Sequence, residues 1–220
     1  MKGWKAGLVT TLAVCCGVVL AEEAKKAGRW EKNMQAFEER DAKTPPPKGE
    51  IVFIGSSSIV GWKLDKWFPN LKTVNRGFGG SQIADSVQYA DRILIPLEPR
   101  IVVFYAGDND VASGKSPEKV VEDYKAFVEK IHDKLAEAKI IYVCIKPSIA
   151  RWKLWAKMQA ANKLIEDHAK TDKRLAYLDV ATPMLGEDGK PKPELFVKDG
   201  LHLSPAGYEL WTKLLLPHLK

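Results

Sequence analysis

Short, nearly uninterrupted apolar runs alternate along this chain with stretches of helical periodicity. The clearest runs are 51–54 (Ile-Val-Phe-Ile), 101–106 (Ile-Val-Val-Phe-Tyr-Ala) and 140–145 (Ile-Ile-Tyr-Val-Cys-Ile). A strand wetted on one side alternates apolar and polar residues. Runs apolar at every position belong to strands buried on both faces, as in parallel sheets covered by helices. Shorter runs at 72–75 and 175–180 add two further predicted strands, and helices are predicted over 24–40, 81–95, 117–138 and 150–170 and from Ser204-Pro205 onward. Strand–helix alternation through five strands implies an α/β fold with a parallel sheet and helices on both faces, and right-handed crossovers restrict its topology.

The helical stretches carry their own punctuation. Ser116 suits an N-cap and Pro117 the first helical position. Behind them Val120, Val121, Tyr124, Phe127, Val128, Ile131 and Leu135 form one stripe. Trp30, Met34 and Phe37 give the first helix an apolar face that packs on the domain, and Thr44-Pro45-Pro46-Pro47 ends it in a stiff connector. Trp155, Met158, Leu164 and Ile165 are expected inward on the 150–170 helix, and Tyr208, Trp211, Leu214 and Leu215 on the last.

At 220 residues the chain can bury one sizeable core. Residues 1–21 stand apart. Lys2 and Lys5 precede an apolar run ending in Val19-Leu20-Ala21, which reads as a secretory signal peptide with a small-residue cleavage site. The alternative is an uncleaved anchor, although the run falls short of the ~20 apolar residues of a spanning helix. Export is therefore expected, to the periplasm, the cell surface or the medium. Cys15 and Cys16 would leave with the signal, and Cys144 lies within an apolar run as a small buried hydrophobe. The formal charge of +6, less the two signal lysines, is +4 in the remaining chain and spread out. No basic stripe interleaved with aromatics points to nucleic acid, and no Cys/His spacing points to zinc.

Four loops carry the unusual residues: Gly55-Ser56-Ser57-Ser58, Gly77-Phe78-Gly79-Gly80-Ser81, Gly107-Asp108-Asn109-Asp110 and Asp199-Gly200-Leu201-His202. Singly, each has an ordinary reading as a helix cap, a tight turn or an Asx-rich turn. The first three follow predicted strands, so a parallel sheet delivers them to one edge, where open α/β sheets meet their ligands. His202 alone among the four histidines sits on a loop with an acid at short range. His132, His168 and His218 fall on or near helices as structural or solvated residues. Lys146, Pro147, Ser148, Arg151 and Trp152 follow the fourth strand and should rim the same edge, as substrate contacts or as a structural loop. Trp62 and Trp67 after the first loop are expected to pack in the core, with sugar stacking as the alternative.

In this order the four clusters resemble the blocks of the SGNH hydrolases, the GDSL-type esterases and lipases, over roughly residues 50–216. The family's Ser, Gly, Asn and His match Ser57, Gly80, Asn109 and His202. Asp199 matches the acid of its Asp-x-x-His block, and Gly107 and Asp110 match the flanks of its Gly-x-Asn-Asp block. The resemblance implies a three-layer α/β/α sandwich with a five-stranded parallel sheet in flavodoxin-like topology. With the signal peptide at 1–21 and the N-terminal helix and Pro-rich connector at 22–49 already read from the residues, the resemblance assigns an esterase domain to 50–220. It further implies a serine esterase without metal or cofactor, which the signal sequence would export. The sequence shows no prominent apolar surface of the kind a true lipase carries, so small acyl esters, acetyl or short-chain, are the expected substrates. Ser57 would be the nucleophile, His202 the base and Asp199 its orienter. Oxyanion donors would be the Ser57 and Gly80 N–H groups and the Asn109 amide. Substrates would be small-molecule or carbohydrate esters, with no nucleic-acid partner and no membrane span once the signal is cleaved. One position departs from the family: Ser56 replaces the usual aspartate of Gly-Asp-Ser. Serine also bonds nearby backbone, so the turn is expected to survive, and the assignment of Ser57 among three serines rests on alignment alone. The altered block keeps a second class open, a glycan- or acyl-ligand-binding module without turnover. A nucleotide- or phosphate-binding protein is a weaker third reading, since the dinucleotide fingerprint spacing is absent.

Overall fold

A computed structural model describes residues 28–220, so the predicted signal peptide lies outside the described residues. The chain begins with α1 (Glu31–Lys43), then β1 (Ile51–Gly55), two one-turn helices α2 (Ser57–Val60) and α3 (Leu64–Trp67), and β2 (Thr73–Gly77). It continues through α4 (Ile83–Ile93), β3 (Ile101–Tyr105), α5 (Asp108–Ala112), α6 (Pro117–His132) and β4 (Lys139–Val143). It ends with α7 (Trp155–Ala169), β5 (Leu175–Leu178) and α8 (Pro205–Leu215). The five strands form one parallel sheet in the order β2-β1-β3-β4-β5, the flavodoxin-like order. The sandwich is the one expected, and β1 and β3 are buried at every position, as their unbroken apolar sequences require.

Helices α1, α4, α6 and α7 pack in a row along one face. On the other, Trp62, Tyr208 and Trp211 meet with ring centroids 5.5–6.0 Å apart. Trp62 is therefore a core residue, and its Nε1 donates to Thr212 Oγ1 at 3.1 Å. Trp67 is half-buried, with the Lys66 ammonium 4.6 Å from its ring centroid. The expected caps form: Ser116 accepts from the Lys119 N–H and Ser204 from the Gly207 N–H.

Several sequence boundaries shift. The 117–138 helix stops at His132, whose Nε2 lies 3.0 Å from Ala138 O while Leu135 and Ala138 close the following turns. The 150–170 helix begins only at Trp155, because residues before it run across the sheet edge and a short turn at Trp152–Leu154. Leu164, expected inward, is exposed. The buried stripe is Trp155, Met158, Asn162, Ile165 and Ala169, and Leu164 sits one residue, about 100° of helix, off it. Cys144 is fully buried as expected, and burial pushes its thiol up to about 12.

The N-terminal helix is tied to the sheet by more than its apolar face. Arg76 on β2 is buried beneath α1, donates Nε to Ile93 O at 2.9 Å, pairs with Asp41 and lies over the Phe37 ring. Removing one partner of a buried pair leaves the other charge uncompensated, at a cost of about 3 kcal/mol or more. Asp41→Ala is therefore expected to lower unfolding free energy by about 3 kcal/mol in urea titrations. A loss below about 0.5 kcal/mol would show that water replaces the carboxylate.

Candidate active site

The site starts from strand register. Gly55 on β1 lies opposite Gly77 on β2 and Tyr105 on β3, so the three following turns leave the sheet at one level. The strands approach so closely that a Cβ on Gly55 would stand 1.9 Å from Tyr105 O, and Gly55 has φ of +134°. Only glycine accepts both conditions.

The Ser56–Ser58 turn is held by backbone. Ser56 N–H donates to Tyr105 O at 2.9 Å, and the N–H groups of Ile59 and Val60 donate to Ser56 O. The Ser56 hydroxyl is buried and finds no partner among the described residues. The turn survives with serine at this position, as expected, but it is closed by these three backbone hydrogen bonds and not by the side chain.

Ser57 and His202, 145 residues apart, meet at the sheet edge with Oγ 3.1 Å from Nε2. The other ring nitrogen, Nδ1, is 2.6 Å from Asp199 Oδ2. Asp199 Oδ1 accepts from the Leu201 and His202 N–H groups at 2.8 and 2.9 Å, which folds the Asp-Gly-Leu-His turn around its own carboxylate. Gly200 takes φ of +65° there, and Val197 N–H donates to His202 O.

The second and third turns are bolted to each other. Asn109 Nδ2 donates to Ser81 O at 3.0 Å, and buried Asp110 accepts from Ile83 N–H and from Lys115 Nζ at 2.8 Å. A Cβ on Gly79 would lie 4.0 Å from Ser57 Cβ. Gly80 has φ of +76°. Among the described residues, neither the Ser57 nor the Gly80 N–H is used in a backbone hydrogen bond. Ser57, Gly80, Asn109, Asp199 and His202 are thus all brought to one edge. Among the described residues no group of three or more His, Cys, Asp or Glu side chains is placed to hold a metal ion.

The profile of the GDSL-like lipase/acylhydrolase family matches residues 54–210, most of the described chain and every loop of the site. The chain belongs to this family. Its fold recurs in a protein from Streptococcus pneumonia described as a platelet activating factor, at 22% identity and TM-score 0.79, over 93% of this chain and 99% of that one. It recurs in a GDSL-like lipase from Bacteroides thetaiotaomicron, at 23% identity and TM-score 0.72, over 85% and 97% of the two chains. An acetylxylan esterase from Geobacillus stearothermophilus is similar at 16% identity and TM-score 0.63, over 79% and 95%. At these identities the likenesses establish the fold. None of the curated proteins compared with the chain matches it.

Within this acylhydrolase fold, three features of the site escaped the sequence. Buried Trp30, expected only as part of a packing face, donates Nε1 to Gly79 O at 3.0 Å and stands edge-on to Phe78, 5.8 Å between centroids. Arg29 lies 4.4 Å over the Trp30 ring, with Nη2 3.3 Å from where a Gly80 Cβ would be. The N-terminal segment therefore braces the glycine turn. No local pattern signals this, because the contact spans 49 residues. Arg151, expected at the rim as a substrate contact or as part of a structural loop, donates Nη2 to Asn109 Oδ1 at 3.0 Å and Nη1 to Asp108 Oδ2 at 2.8 Å. Lys146, expected at the same rim, is instead buried beneath it, 3.0 Å from Tyr105 OH and 3.5 Å from Asp108 Oδ2. Burial pulls its pKa down, and the Asp108 carboxylate opposes that shift.

The His202 side chain and the two backbone N–H groups hold the Asp199 carboxyl well below the usual carboxylate range. The pairing therefore contributes above the unfolded carboxyl value of about 3.9 and is lost only as pH falls through the lower folded value. Carbon-detected NMR titration of Asp199 is expected to give a midpoint clearly below 3.9, whereas a midpoint at or above it would contradict the hydrogen-bonded geometry.

Proposed function

We propose that the chain is a serine esterase that works through an acyl-enzyme. The observation carrying this reading is the Ser57–His202–Asp199 chain of contacts, 3.1 and 2.6 Å, at the edge where three sheet turns converge. A serine hydroxyl is a weak nucleophile until an adjacent base takes its proton. Ser57 Oγ attacks the ester carbonyl carbon while its proton passes to His202 Nε2. Asp199 keeps the proton on Nδ1 and stabilises the imidazolium that forms. The carbonyl oxygen, now an oxyanion, takes hydrogen bonds from the Ser57 and Gly80 N–H groups and from Asn109 Nδ2. Collapse breaks the C–O bond, and His202 gives its proton to the departing alcohol. Water then attacks the acyl-serine by the same route in reverse.

Small acyl groups, acetyl or short-chain, suit the surroundings. Val60, Ile149 and Val197 are exposed aliphatics on segments adjoining Ser57 and the His202 turn. Single exposed aliphatics offer a short apolar edge rather than the broad patch expected for a lipid surface. Small-molecule and carbohydrate esters both fit, and the fold shared with an acetylxylan esterase is compatible with the latter. Export follows from the signal-like sequence of residues 1–21.

Labelling with a small fluorophosphonate, followed by peptide mass mapping, tests the reading. Wild-type protein is expected to be modified at Ser57, and Ser57→Ala and His202→Ala to lose the label. Asp199→Asn is expected to reduce kcat on an acetyl ester by about 10⁴ by stabilising the wrong tautomer. A folded wild type that neither labels nor hydrolyses acetyl esters would instead favour ligand binding without turnover.

A further inference from the structure

One oxyanion donor in the proposed reaction is a side-chain amide, which can rotate end for end. Asn109 Nδ2 serves only if it, and not Oδ1, faces the reacting carbonyl. Two contacts decide the orientation. Ser81 O accepts from Nδ2 at 3.0 Å, and Arg151 Nη2 donates to Oδ1 at 3.0 Å. A flipped amide would set oxygen against oxygen at Ser81 and N–H against N–H at Arg151. Each polar atom of the amide is thus matched to a partner of the opposite kind.

The guanidinium is itself immobilised. Its Nη1 donates to Asp108 Oδ2 at 2.8 Å, and the Asp108 side chain is only 7% exposed. The same carboxylate oxygen lies 3.5 Å from fully buried Lys146, which rests on Tyr105 OH. Arg151 also belongs to the segment whose Ala150 N–H donates to Gly200 O, inside the Asp199–His202 turn. One short segment thus grips both the Asn109 turn and the His202 turn. With one terminal nitrogen committed to Asp108 and the other to Asn109, the guanidinium is directed at the protein.

We propose that Arg151 is a positioning residue that fixes the Asn109 amide with Nδ2 toward the oxyanion, while Asp108 holds the guanidinium in place. This rests on the esterase reading. Lysine cannot replace it, because a point-charge ammonium does not span two acceptors with the planar geometry of a guanidinium.

A double-variant cycle on the purified chain, with 4-nitrophenyl acetate as substrate, separates positioning from other roles. Asn109→Ala is expected to lower kcat by about 10²–10³. Arg151→Ala is expected to lower kcat by about tenfold or more with KM little changed, since the lost interaction is made in the transition state. In the Asn109→Ala background, Arg151→Ala is expected to have no further effect beyond about twofold. Added guanidinium chloride at millimolar concentration is expected to restore part of the Arg151→Ala rate and none of the Asn109→Ala rate. Arg151→Lys runs in parallel, with thermal unfolding of each protein. If Arg151→Ala does not fold, the cycle is read from Arg151→Lys, which is expected to fold, lose kcat and show the same non-additivity. Effects that multiply in the double variant overturn the proposal, as does a raised KM at unchanged kcat, which would make Arg151 a substrate contact. A wild type that hydrolyses no ester overturns the esterase reading itself, whereas an active wild type with a multiplicative cycle overturns only this inference.

Discussion

The in-register pairing of β1 with both β2 and β3 is the constraint on which the rest depends. Gly55, Gly77 and Tyr105 stand at one level of the sheet. The chain therefore has no freedom to stagger the three turns that follow. Strand spacing fixes the separation of Ser57, the Gly79-Gly80 turn and Asn109 as firmly as it fixes the backbone ladder. A one-residue slip of β1 would put a residue bearing a side chain where Gly55 now lies, and a Cβ there would stand 1.9 Å from Tyr105 O, so close packing defends the register. The geometry of the site is in this sense a by-product of burying Ile51–Gly55 and Ile101–Tyr105 on both faces.

On that frame the polar interactions divide into two kinds. Some join one turn to the next: Asn109 to Ser81, Asp110 to Ile83 and Lys115, Arg151 to Asp108 and Asn109, Ala150 to Gly200. Others close a turn on itself, as Asp199 does around His202. The first kind keeps donors from different strands in a fixed relation, the preorganisation that the proposed oxyanion site requires. Several of its members are buried charges, Asp108, Asp110 and Lys146 among them. Such charges are costly to bury unless paired, and here each lies within reach of an opposite charge. They are concentrated directly under the loops that bear Ser57 and Asn109.

The N-terminal helix shows how a peripheral element becomes coupled to a site. Its apolar face needed a partner, and the sheet edge near β2 offered one. Burying Trp30 there left an indole N–H that had to be satisfied. Gly79 O supplies the acceptor, so a contact formed for packing also steadies the glycine turn beside Ser57. Arg76 and Asp41 secure the same helix lower on the sheet.

The sequence by itself determined the fold class, because short runs apolar at every position, rich in β-branched and aromatic residues and alternating with helical periodicity, mark strands buried on both faces. Spacing and order of the Gly-Ser, Gly-Gly, Gly-x-Asn-Asp and Asp-x-x-His clusters marked the site. Helix caps at Ser116 and Ser204 were legible for the same reason, as each uses bonds within three residues. Boundaries were less so: Leu164 reads as core from composition, yet one residue of helical phase puts it in solvent. The turn at Ser56 survives as the sequence suggested, but the hydrogen bonds that close it are backbone ones, including one across the sheet to Tyr105 O that the sequence does not show. Only the tertiary structure decided that Trp30 bonds Gly79 across 49 residues, that Lys146 lies beneath the site, and that Arg151 reaches Asn109 across 42. Local chemistry writes periodicities and caps into neighbouring residues. The partner of a long side chain depends on where separate strands and crossovers come to rest.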